Sequence, residues 1–134
     1  MTIEELEQSV RQYNTSADID LIRLTYDFAE NAHRGQVRKT GEEYINHPLR
    51  TAFYLANLKV DQPTIIASLL HEVQDMKDVS FEDIRKNFGE EVGALVEIAG
   101  RRRQFVFIAP EAGPSVEIDG KKLRQQRYRV RIGE

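Results

Sequence analysis

The segment from Thr64 to Val73 has to be enclosed by whatever the rest of the chain folds into. Ile65, Ile66, Leu69, Leu70 and Val73 recur at helical spacing and form one broad apolar face. Asp61 stands where a cap belongs, and Pro63 falls in the first turn, where proline is tolerated. A helix this apolar is expected at the centre of its domain, with other helices packed around it. It runs directly into reactive side chains, His71-Glu72 and then Asp75. A histidine beside a carboxylate can hold one divalent metal where the backbone bends slightly. His47, in Tyr44-Ile45-Asn46-His47-Pro48, offers a second imidazole from a different helix. Imidazole with carboxylate suits Mn, Fe or Zn better than Ca or Mg. A metal held there could assist hydrolysis of a phosphate ester.

The flanking sequence reads as further helices joined by short connections. Residues 2–13 form a short one, with Thr2 and Glu5 at capping-box spacing. Asn14-Thr15-Ser16 is a loop. A longer helix spans about 18 to 34, with Ile22, Tyr26, Ala29 and His33 on one face, and Gly35 ends it. Gln36 to Asn46 is a polar loop. His47-Pro48 opens the next helix, with Ala52, Leu55 and Ala56 inward. Ser80 caps a helix over 81–87, Phe88-Gly89 is a break, and a last helix covers about 90 to 99. Residues 1–100 are therefore expected to be a helical domain.

After Gly100 the character changes. Residues 101–134 carry nine Lys/Arg and four acids, a net of +5, whereas the first hundred residues sum to -8. Phe105 to Ile108 is strand-like, and Asp119-Gly120 fits a two-residue hairpin turn between Val116–Ile118 and Lys121–Leu123. Arg127, Arg129 and Arg131 alternate with Tyr128, Val130 and Ile132, the period of a strand. The expectation is a mainly α chain ending in a basic, β-hairpin-like tail. Cations on a strand edge discourage aggregation, and this reading is preferred to nucleic-acid binding because no aromatic stacking motif is interleaved on that face.

The chain has no cysteine, which removes disulfides, thiolate metal sites and cysteine nucleophiles. No apolar run approaches a membrane span, and the first residues lack the features of a signal peptide. A cytoplasmic protein with no membrane partner is expected.

Five segments together resemble a known family. They are Ala32-His33-Arg34-Gly35-Gln36, Arg38-Lys39-Thr40-Gly41-Glu42, Tyr44-Ile45-Asn46-His47-Pro48, Ala67-Ser68-Leu69-Leu70-His71-Glu72-Val73 and Phe88-Gly89-Glu90-Glu91-Val92. Their order and spacing are similar to the HD-type hydrolase domain of the RelA/SpoT homologues, which degrade (p)ppGpp, over roughly residues 18–99. The resemblance implies an HD-domain-like helical bundle and Mn-dependent removal of the 3′-pyrophosphate from a guanine nucleotide. It implies metal ligation by His47, His71 and Glu72, catalysis by Asp75, and nucleotide binding by Arg38 and Lys39.

Three features depart from the family's pattern. Glu72 stands where the family has aspartate, Asp75-Met76 stands where it has Glu-Asp, and nothing after Ala99 resembles its later helices. Two functions follow as expectations. One is a metal-dependent (p)ppGpp pyrophosphohydrolase. The other is a catalytically degenerate HD domain with a nucleotide-binding or regulatory role. Taken singly, His71 reads as a core histidine, Glu72 as a solvated acid, and Arg38 and Lys39 as loop cations. His33, on an apolar face, reads as a partly buried histidine rather than a ligand.

Overall fold

Helix formation follows the apolar period closely. In the computed structural model, the described residues are 2–34, 36, 37, 39–73, 79–102, 104–108, 116–118, 121–123 and 127–131, with the backbone alone described from 101 onward. Among them are six helices: α1 (Ile3–Tyr13), α2 (Ile19–His33), α3 (Asn46–Asn57), α4 (Gln62–Leu70), α5 (Phe81–Phe88) and α6 (Glu90–Arg102).

Side-chain caps start α1, α2 and α5, whereas Asp61 precedes α4 without a cap hydrogen bond to its backbone. Ser80 accepts from the Asp83 N–H at 3.2 Å, and the Asp83 carboxylate accepts from the Ser80 N–H at 3.1 Å, a complete capping box. Asp18 accepts from Leu21 N–H at 3.0 Å to start α2. At α1 the expected reciprocal box is half built. The Thr2 hydroxyl accepts from Glu5 N–H and donates to the Glu5 carboxylate instead of leaving that carboxylate to the backbone. Helix α6 runs on to Arg102, past the expected end near residue 99.

Helix α4 sits at the centre. Every residue from Thr64 to Leu70 is buried, so the helix is enclosed on all sides and not only along one face. Helices α2, α3 and α6 pack against it, and α1 packs on α2 and α3. Ile22, Leu55, Val60, Ile65, Leu69, Leu70 and Val96 are fully removed from solvent and form one continuous core. The buried hydroxyls are satisfied locally: Ser68 Oγ donates to the Ile65 carbonyl at 2.6 Å, and Thr64 Oγ1 donates to the Asp61 carboxylate. No helix among the described residues is long and apolar enough to cross a membrane.

Among the described residues past α6 the backbone takes four short strands, β1 (Gln104–Ile108), β2 (Val116–Ile118), β3 (Lys121–Leu123) and β4 (Arg127–Arg131). Strand β1 pairs antiparallel with β4, Gln104 opposite Arg131, and β2 pairs antiparallel with β3, Val116 opposite Leu123. Strand β1 lies against α6 and α4. The Asp119-Gly120 turn and Gly35 lie outside the described residues.

Helices α5 and α6 approach closely at Gly93. A Cβ there would lie 2.3 Å from Arg85 Cγ and 3.3 Å from Arg85 Cα. Arg85 is itself anchored by a 2.6 Å hydrogen bond to Glu97 on α6. Helix propensity alone would make Gly93→Ala stabilising by about 1 kcal/mol. The contact reverses that sign, because overpacking costs about 1–3 kcal/mol. Gly93→Ala should therefore lower the urea midpoint of the chain, whereas a rise would show that α5 yields without cost.

Candidate metal centre

Three side chains from two helices converge at the C-terminal end of α4. His47 lies in the first turn of α3, and His71 and Glu72 directly follow α4. All three are nearly buried, at 8%, 3% and 9% exposure. His47 Nε2 is 3.1 Å from Glu72 Oε1, and His71 Nε2 is 3.6 Å from the same oxygen. One ligand atom from each residue lies within 4.8 Å of the other two.

Local backbone geometry produces this convergence. Successive side chains on an α-helix diverge by about 100°. The regular helix stops at Leu70, and His71 takes φ -64°, ψ -23°, nearer a 3₁₀ turn than an α-helix. Glu72 has the reach to swing its carboxylate back toward both imidazoles. Pro48 beside His47 suits a first helical turn, where no N–H is needed.

The orientation of His71 is fixed from behind. Its Nδ1 is 2.6 Å from the Ser68 carbonyl. A carbonyl can only accept, so Nδ1 carries the proton, and a neutral ring then turns the Nε2 lone pair toward Glu72. Two acceptors facing each other favour a cation between them. Ligating histidines are commonly held in this way through the opposite nitrogen. Two atoms each ~2.1 Å from a common ion at tetrahedral or right angles lie ~3.0–3.4 Å apart, close to the separations at Glu72 Oε1. The residues thus fit a small divalent ion by donor type, burial and spacing.

The loop before α3 is fastened on both sides. Val37 and Glu43 form an antiparallel bridge, and Gly41 turns the chain between them at φ +89°. The Arg50 guanidinium on α3 grips the Glu42 carboxylate through both of its terminal nitrogens, one bond at 3.0 Å. The Glu42 hydrogen bond is the largest of the causes that raise the Arg50 pKa, so the clamp stays charged. A cleft of about 310 Å³ opens beside this loop, lined by His33, Arg34, Val37, Glu43, Tyr44 and Ile45.

Of the residues singled out in the sequence, His47, His71 and Glu72 are brought together. Lys39 is exposed on the fastened loop. Arg38 and Asp75, with Met76, lie outside the described residues. Sequence reasoning missed the orienting role of Ser68. Its contribution comes from a backbone carbonyl, and the only signal was its place three residues before His71 on one helix.

An HD domain model matches residues 25–128, most of the chain and all three converging residues. The chain belongs to the HD domain family. The likeness extends beyond the fold. Over 94 residues this HD domain is 46% identical to a guanosine-3′,5′-bis(diphosphate) 3′-pyrophosphohydrolase of Aquifex aeolicus, covering 70% of this chain and 13% of that one. Over 104 residues it is 39% identical to the bifunctional (p)ppGpp synthase/hydrolase SpoT of Escherichia coli, covering 78% of this chain and 15% of the relative. The chain thus spans about an eighth to a seventh of the length of the curated relatives it matches. Among solved structures, a metazoan ortholog of SpoT described as hydrolysing ppGpp aligns with a TM-score of 0.52 at 32% identity, over 57% of this chain and 45% of the other. The HD domain of this chain is therefore of the kind found in the RelA/SpoT homologues.

An ion that binds only the folded state raises stability by about 2.7 kcal/mol at one hundred times its dissociation constant. Saturating Mn²⁺ should therefore raise the midpoint of thermal unfolding, and His71→Ala should remove that rise. An equal rise in the variant would place the ion elsewhere.

Proposed function

We propose that this chain carries a metal-dependent (p)ppGpp 3′-pyrophosphohydrolase site, with guanine nucleotide as substrate and Mn²⁺ as the resident ion. The observation that carries the reading is the convergence of His47, His71 and Glu72 on one point. The relatives' names add the substrate class. Imidazole and carboxylate donors favour a transition ion over Ca²⁺ or Mg²⁺.

A divalent ion at such a site lowers the pKa of a bound water and polarises a phosphoryl oxygen. The chain's own residues do the rest. His47, His71 and Glu72 hold the ion in a largely dry pocket, where fixed charges act strongly. Asp75 accepts the proton of the attacking water. The water oxygen forms a bond to the phosphorus on the 3′ oxygen, the bond from that phosphorus to the 3′ oxygen breaks with its electron pair going to the 3′ oxygen, and that oxygen takes up the proton from Asp75, which frees pyrophosphate and a nucleotide with a 3′ hydroxyl. Arg38 and Lys39 hold the nucleotide, Arg38 by pairing with phosphate or stacking on the base. The nucleotide substrate and the lack of cysteine support a cytoplasmic setting. The same proposal treats residues 101–134 as a basic β-hairpin tail distinct from the helical domain of residues 1–100.

Met76 supports a second reading, a regulatory HD domain that binds nucleotide without turning it over. A thioether neither accepts a proton nor orients water as a carboxylate does, so one acidic role has no residue at that position.

The deciding measurement is pyrophosphate release from (p)ppGpp by the purified chain with Mn²⁺, and then with a chelator. The hydrolase should turn over with metal and stop on chelation, and His71→Ala should be inactive. Turnover that survives chelation, or that survives His71→Ala, would overturn it. A folded chain that binds the nucleotide without turnover would establish the regulatory reading.

A further inference from the structure

His33 is a buried histidine that the proposed reaction leaves unused. It ends α2, is 3% exposed, and lies on the inward face with Ile22, Thr25 and Ala29. It is not among the groups that converge with Glu72. Its ring lies flat on Tyr44, with centroids 5.5 Å apart and planes 6° from parallel. Tyr44 in turn belongs to the turn that starts α3. The Tyr44 carbonyl accepts the His47 N–H at 3.2 Å, and the Glu43 carbonyl accepts the Asn46 N–H at 3.2 Å.

Each link in this chain of contacts has a definite physical role. Stacked rings resist sliding and tilting, so the His33 face sets where the Tyr44 ring and backbone lie. The Tyr44 carbonyl then sets the height of the first turn of α3. That turn carries His47, whose Nε2 must stay near Glu72 Oε1. The other imidazole has separate support, since His71 is held by the Ser68 carbonyl. One ligand is thus steadied by a hydrogen bond within α4, and the other by an aromatic stack from α2.

We propose that His33 is a positioning residue for the metal centre: by stacking on Tyr44 it fixes the turn that aims His47 at Glu72. The inference rests on the reading of His47, His71 and Glu72 as metal ligands, but part of its test needs no metal. The contribution is that of an aromatic face and not of a ligand nitrogen. Phenylalanine should therefore replace His33, and the cleft beside it leaves room for the larger ring.

The test uses the full chain labelled with ¹⁵N-histidine, whose three histidines are His33, His47 and His71. In the metal-free protein, His33→Ala should move or broaden the ring signals of His47 strongly and those of His71 less, because the His71 ring meets His47 only edge-on, at 5.4 Å between centroids, and keeps its Nδ1 bond to the Ser68 carbonyl. His33→Phe should restore the His47 signals. Simple loss of stability would disturb both rings alike. In a parallel Mn²⁺ titration read by electron paramagnetic resonance, His33→Ala should weaken binding about tenfold, and His33→Phe should stay within about twofold of the wild type. Should His33→Ala not fold, Tyr44→Ser removes the same stack from its half-buried side and carries the same expectations.

A folded His33→Ala chain with unchanged His47 signals would overturn the proposal. So would rescue by His33→Asn but not by His33→Phe. Absence of Mn²⁺ binding in the wild type would sink the metal-centre reading instead, while the metal-free His47 signals still decide whether His33 positions that ring.

Discussion

The Glu72 carboxylate is the point on which the rest of the site depends. An ionised carboxylate at 9% exposure loses most of its hydration, and that loss must be offset by nearby positive charge or strong hydrogen bonds. The two imidazoles beside it can offset it through a hydrogen bond from His47 Nε2 or through a cation held between them. Because the Ser68 carbonyl claims the His71 Nδ1 proton, the side of the ring facing Glu72 is the side with the open lone pair in the neutral state. The hydrophobic burial of α4 matters here for a specific reason. It keeps the site dry enough that the charge balance is decided inside the protein rather than by solvent.

The surroundings are arranged so that this end of α4 faces a fixed neighbour. Helix α3 packs along α4, and the loop leading into it is clamped by the Glu42–Arg50 pair and the Val37–Glu43 bridge. The half-exposed Arg50 would contribute little as an isolated surface ion pair. Its two-point grip on one carboxylate adds geometric restraint instead. The loop that carries Lys39 is therefore fastened to α3, the helix that carries His47.

Most of the helical framework was legible in the sequence, because Ile65, Ile66, Leu69 and Leu70 repeat over α4 at helical spacing and the neighbouring helices repeat the same period. The end of α6 was not. Its apolar period stops at Ala99, yet the helical backbone continues to Arg102. The half-built cap at Thr2 was also hidden, since the spacing of Thr and Glu allows either bonding pattern. At the site, the residue types of His47, His71 and Glu72 could be read in advance. Their meeting point could not, because it depends on how α3 crosses α4 and on the turn taken at His71. The support from Ser68 is a backbone atom and leaves no trace in residue type. The stack of His33 on Tyr44 joins two residues that no local period connects.

Glutamate at position 72 has a consequence for how binding and catalysis are divided. Adjacent residues on a helix diverge, so a His-acid pair meets at one ion only if the backbone turns or the acid is long enough to reach back. Here both occur: the regular helix ends at His71 in a tighter turn, and the extra methylene of Glu72 brings Oε1 to 3.1 Å from His47 Nε2. The longer acid is therefore compatible with holding an ion, and its presence does not by itself mark a decayed site. Met76 is a different kind of change. In the proposed reaction it would remove one proton acceptor for the attacking water, and it is not one of the three proposed ligands. In the proposed reaction metal capture and proton transfer thus fall on different residues, so loss of the second is compatible with retention of the first.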